Sequence, residues 1–440
     1  MPDSLQIAIH NTTPSPTAYA YITGLALQHS SSRVFLQSNG HTLYFPSSPS
    51  STGTPLAVDC AIPLSAPGTT TSVTIPQLAG GRLYISVDAK LTFLLNPGPA
   101  LVEPSVLNPS DPNAEVNFGF VEFTLNEAQL FANISYVDFA PAVPLALALT
   151  TTSGPTQTVT GIPTTGLQEV AQGLRQQAKV DGRPWDKLIV ERNGTPFRVL
   201  APTHAGAVGA SFEGYYEPYV ERVWEHYSTA STSNSNTTNV LSIDTQAAAG
   251  VVHGRVNPSG QLELGAESFA KPTTADIFSC NSGPFTTGPS AVRNAIIPRL
   301  AAGFVRSSLL TESTQPGTPD AFYKEAVTDH YARVVHEANT DGKGYAFAYD
   351  DVQVTGGGDL SGKVEAGDPQ LLTVTVGGGG VGAATAAKAT AGVVQQNVGG
   401  PEREQKQDQG NATGAAPRQE PHQHHGLRAH LDGLAQKILR

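Results

Sequence analysis

Glu122 and Asp138 lie sixteen positions apart in the run FGFVEFTLNEAQLFANISYVDF, residues 118–139, and are the side chains whose type and spacing best suit chemistry. Glu122 sits between Val121 and Phe123, and Asp138 between Val137 and Phe139. Thr124, Asn126, Asn133 and Ser135 are polar neighbours able to orient the pair or meet a hydroxylated substrate. An apolar collar favours the protonated form of a carboxylic acid, whereas a polar, hydrogen-bonded setting keeps a second one ionised. A proton donor beside a proton acceptor is the arrangement that glycoside hydrolysis requires. The plainer reading is two carboxylates on the solvent face of a sheet, so the elements that carry them matter.

The run reads as two strands around a turn at residues 126–129. That turn sets Glu122 opposite Asn133 or Ile134. Asp138 then lies four or five residues further on, roughly 13 to 17 Å away along a flat hairpin at ~3.3 Å per residue. An inverting acid–base pair stands ~6.5 to 9.5 Å apart and a retaining pair ~5 Å apart. A longer loop reaching Leu130 or Phe131, or a bulge and strong twist, would close the gap, and inversion is the easier geometry.

Upstream, LQIAIH, AYAYITGLAL, RVFL, TLYF, TSVTIP, RLYISV and KLTFLL are short apolar runs separated by Pro, Gly, Ser and Asn clusters, the pattern of a sandwich or barrel. Helical periodicity begins after Pro163. Leu167, Val170, Leu174 and Ala178 form one stripe, and Tyr219, Val220, Val223, Trp224 and Tyr227 a second. A third helix is expected at about 289–310, kinked or split by Pro298, and a fourth from Thr318-Pro319 onward. Trp185, Trp224, Tyr215 and Tyr216 read as core aromatics rather than sugar platforms. GYAFAYDDV near residue 348 and DPQLLTVTV near 370 read as strands, the latter closing the first sheet. Residues 376–440 turn to low complexity and are expected to be disordered.

Charged residues are only 14% of the chain and the formal net charge is -11, which argues against nucleic acid or an anionic membrane as the main partner. No run of ~20 apolar residues is present, and the N-terminus lacks the basic start and apolar run of a secretory signal. Cys60 and Cys280 are compatible with a bridge or with two thiols. The Gly377-to-Gly382 run matches a dinucleotide fingerprint in letters but lacks the following βαβ unit and acidic residue, and reads as a linker. His422, His424 and His425 read as a solvated tract rather than a metal site. HExxH, paired CxxC and GxSxG motifs are absent from the sequence.

VEFTLN followed by FANISYVDF resembles the glycoside hydrolase family 64 β-1,3-glucanases and, more distantly, thaumatin-like proteins. The likeness extends over most of residues 1–375, through GGRLYISVDAKLTFLLNPGPALVEPSVLNPSDPN, DGRPWDKLIVERNGTPFRVLAPT, YYEPYVERVW, DIFSCNSG and GYAFAYDDV. It implies a mainly β protein with α/β parts: a thaumatin-like β-sandwich or barrel lobe (1–160 and 344–375) beside a mixed, helix-rich α/β lobe (161–343), with a wide acidic cleft holding a β-1,3-glucan chain. It further implies Glu122 as general acid and Asp138 as general base in an endo-acting, inverting hydrolysis. Thr124, Asn126, Phe131 and Ser135 are expected to contact sugar, and Arg82, Asp350 and Asp351 to extend the groove by analogy with thaumatin-like proteins. No cofactor, metal, nucleic acid or membrane is expected, and the protein should be a monomer. Family members are commonly secreted, which points to an extracellular or cell-wall location, while the sequence shows no signal peptide and leaves an intracellular one open. The alternative is a non-catalytic glucan-binding or antifungal protein using the same groove.

Overall fold

The computed structural model describes residues 2–228, 239–352 and 357–378. The low-complexity expectation after Gly378 and the histidine tract lie outside the described residues. Two sheets packed face to face form the centre. The larger runs Lys363–Ala366, Leu130–Ile134, Asn117–Leu125, Leu78–Val87, Ala18–Ala26, Ser32–Leu36 and Leu43–Tyr44 in spatial order, with Ile62–Pro63 paired to Ala18–Ala26. The smaller runs Gln157–Val159, Leu145–Thr151, Pro369–Val376, Ser4–Asn11 and Thr70–Pro76. DPQLLTVTV therefore closes the sheet as its sequence suggests, lying parallel to the first strand with Ile9 opposite Val374.

Period-two alternation decides which face each residue serves. In Asn117–Leu125, the side chains of Val121, Phe123 and Leu125 enter the core between the sheets together with Ile7, Leu83 and Val374. Phe118 and Phe120 point the other way, into a second cluster with Tyr21, Tyr84, Phe93 and Phe139 under the loops that follow Val87. Glu122 shares this outer face. Gly81 makes the pairing possible: a Cβ there would lie 2.5 Å from the Phe123 ring, so only glycine lets that ring pack flat beneath the row that carries Arg82.

Helices α1 (Gly166–Asp181) and α2 (Glu217–His226) bury the stripes expected from their periodicity, led by Leu167, Val170 and Leu174 in one and Tyr219, Val220, Val223 and Trp224 in the other. A short helix, α3 (Thr274–Ser279), opens with a capping box between Thr273 and Asp276. α4 (Ala291–Val305) runs through Pro298 as one helix rather than two, because Ile296, Ile297, Leu300 and Ala301 around it are fully buried and packing outweighs the lost hydrogen bond.

Two expectations fail locally. Thr318-Pro319 opens only a 3-10 turn, Pro319–Ala321, since Tyr323 adopts a positive φ and donates its amide to the Arg306 carbonyl; α5 (His330–Ala338) starts later, capped by Asp329. GYAFAYDDV is not a strand. Its single bridge joins Tyr345 to Ser135, and the Asp350 carboxylate accepts the Ala346 amide at 2.9 Å and folds the segment into turns. Trp185, Tyr215, Tyr216 and Trp224 are core residues, as expected. Cys60 and Cys280 are buried free thiols, and burial pushes both up, Cys60 to about 12. Among the described residues, no helix is long and apolar enough to cross a membrane.

Candidate active site

Strand register places Glu122 in a polar row. Thr23, Arg82, Glu122, Asn133 and Lys363 stand directly opposite one another across five neighbouring strands. Opposed residues share a face, so the hairpin reading of Glu122 against Asn133 holds and forty residues of chain separate Glu122 from its main partner without separating them in space. Arg82 donates from Nε and Nη2 to Glu122 Oε1 at 3.1 and 2.8 Å, and from Nη1 to Glu103 Oε2 at 2.7 Å and to the Tyr84 hydroxyl at 3.2 Å. Its guanidinium also covers the Phe120 ring, 4.8 Å from the centroid. Each nitrogen of the fork is thus engaged, and Glu122, 3% exposed, is held in one orientation. The Asn133 amide is fully buried next to it and has no hydrogen-bond partner among the described residues.

Asp138 reaches the same space by leaving the hairpin. The second strand ends at Ile134. Ser135 and Tyr136 then lean on the Phe120 and Tyr345 carbonyls, and the chain doubles over the outer face so that Phe139 packs on Phe118 and Phe120. Phe139–Pro141 next joins a separate sheet beside Thr195–Leu200. The departure carries Asp138 back over the face that holds Arg82 and Glu122. Asp138 consequently feels the charges of both Arg82 and Glu122.

His204, on the 3-10 turn Pro202–Val208, lies 2.9 Å from Asp138 Oδ1 through Nε2. Burial pushes the Asp138 carboxyl up, but the His204 hydrogen bond and charge, with Arg82 beyond, outweigh it and hold Asp138 below the ordinary carboxylate range. The cleft beside Asp138 is lined by Val137, residues 201–204, Phe278, Ser279, Asp329 and residues 346–348, so both the sheets and the helices contribute. Asp329, on its far side, is pushed up to about 7 by burial, despite accepting the Ala332 amide.

The remaining candidates scatter around this centre. Thr124 lies two residues along the same face, buried, opposite Phe131. Phe131 packs with Tyr345 and Val137, and Ser135 bridges to Tyr345, so both meet the 345 segment. Asn126 turns back on its own hairpin, its Oδ1 accepting the Ala128 and Gln129 amides at 2.9 Å. Asp350 is fully enclosed by Arg306, His336 and the Ala346 amide, and Asp351 accepts the Tyr345 hydroxyl at 3.1 Å. Glu103, His204 and Asp329 are additions that the structure makes. The only sequence signal for His204 was its place one residue beyond the conspicuous run ending LAPT, at a strand-to-helix junction marked by Pro202. Among the described residues, no three His, Cys, Asp or Glu side chains group as metal ligands.

The family model for β-1,3-glucanases of glycoside hydrolase family 64 matches residues 3–376. The chain belongs to glycoside hydrolase family 64. It is 30% identical over 313 residues to a glucan endo-1,3-beta-glucosidase of Cellulosimicrobium cellulans and 29% identical over the same length to one of Arthrobacter sp. (strain YCWD3). Each alignment covers 69% of this chain and 53% of the relative, so the chain spans about half the length of the curated relatives it matches. A laminaripentaose-producing beta-1,3-glucanase crystallised with laminaritetraose superposes with a TM-score of 0.74 at 31% identity, covering 85% of this chain and 99% of that one. A family 64 domain from Clostridium beijerinckii shares the fold with a TM-score of 0.64 at 20% identity, covering 85% and 98%. The mainly β architecture with several sheets is thus the family's fold.

Proposed function

We propose that this family 64 chain is an endo-acting β-1,3-glucanase that cleaves laminarin-type glucan to short oligosaccharides with inversion at the anomeric carbon. The observation that carries the reading is the divergent setting of two carboxyl groups in one electrostatic neighbourhood: Glu122 buried in the sheet under Arg82, and Asp138 on a crossing segment, kept ionised by His204. The likeness to a glucanase crystallised with laminaritetraose supports the substrate class.

In the proposed reaction, Glu122 gives its proton to the glycosidic oxygen as the C1–O bond breaks, and Asp138 takes a proton from the water whose oxygen bonds to C1 on the opposite face. Glu122 ends as a carboxylate and Asp138 as an acid, and exchange with solvent restores both. Three carboxylates, Glu103, Glu122 and Asp138, act on the charge of Arg82, with Arg33 a second cation near Glu103. His204 holds Asp138 in the ionised form, the state a base requires, and we assign the acid role to Glu122. Thr124, Phe131 and Ser135 are the wall against which the sugar is placed.

Chromatography of laminarin digests with proton NMR of the first-formed reducing ends tests this reading. Short oligosaccharides appearing as the α anomer are expected. The β anomer would contradict inversion, and laminarin binding without new reducing ends would establish a glucan-binding protein instead.

A further inference from the structure

We propose that His204 is a positioning residue of the glucanase reaction, holding Asp138 as an oriented carboxylate toward the cleft. The inference rests on the assignment of Asp138 as the base. An ionised carboxylate can only accept hydrogen bonds, so the 2.9 Å contact requires the proton on His204 Nε2. One Asp138 oxygen, Oδ1, is thereby engaged.

The pairing is built into the backbone. Ala201 donates its amide to the Asp138 carbonyl at 2.9 Å and accepts the His204 amide through its own carbonyl at 2.9 Å, so one residue fixes both partners. The adjoining Thr203 hydroxyl donates to the Phe278 carbonyl at 2.9 Å, tying the 3-10 turn to α3. The imidazole is mostly buried, with 14% of its side chain exposed, against 20% for Asp138. A surface ion pair has no comparable scaffold.

Other charges act on Asp138 as well. Arg82 favours its ionised form and Glu122 opposes it, both from the sheet; Tyr331 faces it from α5, and Asp329 lies across the cleft at that helix's start. His204 is the only one of these that makes a hydrogen bond to the Asp138 carboxylate among the described residues. Its removal therefore raises the pH at which the base takes up a proton, and the acid limb of the rate profile moves upward.

The test compares wild type, His204→Gln and His204→Ala in kcat and KM on laminarin across pH, with Asp138→Asn as reference and the Asp138 carboxyl titrated by carbon-13 NMR. Glutamine keeps a donor without the charge. For His204→Ala, a fall in kcat of roughly ten- to a hundredfold at little-changed KM is expected, with the acid limb of kcat/KM and the NMR titration displaced to higher pH. For His204→Gln, most of kcat should return with a smaller displacement. If folded His204→Gln and His204→Ala titrate and turn over as wild type does while Asp138→Asn is inactive, the role of His204 is overturned and the base assignment stands. If Asp138→Asn keeps full turnover, the base assignment itself fails. Loss of activity in both His204 variants without displacement of the Asp138 titration would mark His204 as merely structural and also overturn the proposal.

Discussion

Arg82, Glu122, Asp138 and His204 on the outer face of the large sheet use the same side-chain types as Arg306, Asp350 and His336 among the helices. In the second cluster one carboxylate takes everything: Asp350 Oδ1 accepts Arg306 at 3.0 Å, and Oδ2 accepts His336 at 3.0 Å and the Ala346 amide at 2.9 Å. Its side chain is 0% exposed. His336 also contacts the Gly342 carbonyl through Nδ1; a carbonyl and a carboxylate both only accept, so both ring nitrogens carry protons. In the first cluster the arginine and the histidine go to different carboxylates on different segments, and Asp138 still faces the cleft. Saturating one carboxylate makes a rivet between α4, α5 and the 346–352 turn, whereas dividing the cations between two leaves a pair of carboxyl groups with different partners in one electrostatic neighbourhood.

Breaking the rivet should show most in stability. Asp350→Asn leaves Arg306 buried without its counter-charge, and a loss of about 3–5 kcal/mol is expected in urea unfolding, with kcat per folded molecule little changed. A large loss of kcat at unchanged stability would erase the contrast between the clusters.

Asp329 sits between them and sharpens the comparison through pH. Its folded-state pKa of about 7 lies above the ordinary aspartate value of 3.8, so its stabilising share is fully present below about pH 4 and is lost as pH rises through 7. His336 has the same sign: burial opposes its charge, but Asp350 and the hydrogen bonds prevail, and its folded pKa is raised. Stability should therefore decline from mildly acidic to alkaline pH. Asp329→Asn keeps an acceptor for the α5 cap and removes the titration, so it should raise Tm at pH 8, by up to roughly 4 kcal/mol in stability, and leave pH 4 nearly unchanged. Equal Tm changes at both pH values would contradict the burial argument.

Smaller effects follow at the edges of the catalytic cluster. Arg82→Lys replaces a fork by a point charge and should lower kcat roughly tenfold with KM little altered, measured by steady-state kinetics on laminarin. Asn126→Ala should cost about 1 kcal/mol in thermal unfolding and leave KM alone, since that side chain serves its own turn. A clear rise in KM would return Asn126 to the sugar-binding surface.

Much of this was legible where contacts are local. The turn at 126–129 fixed the register of Glu122 against Asn133, and helix stripes predicted which faces of α1 and α2 are buried. Long-range pairings were not readable from spacing. Arg82 entered through family resemblance, and its polar row exists only because five strands align; His204, sixty-six residues from Asp138, was one of twelve histidines with no distinguishing spacing. GYAFAYDDV misled because its aromatic residues have strand propensity, while the decisive interaction is the Asp350 carboxylate binding a backbone amide four residues upstream.

The most direct measurement is reducing-end release from laminarin by wild type, Glu122→Gln and Asp138→Asn, with circular dichroism and Tm confirming that each is folded. The divided-cation cluster predicts that both variants lose about a thousandfold or more in kcat while still binding laminarin. Full turnover by either folded variant would contradict the assignment of these two carboxyl groups as the acid and the base.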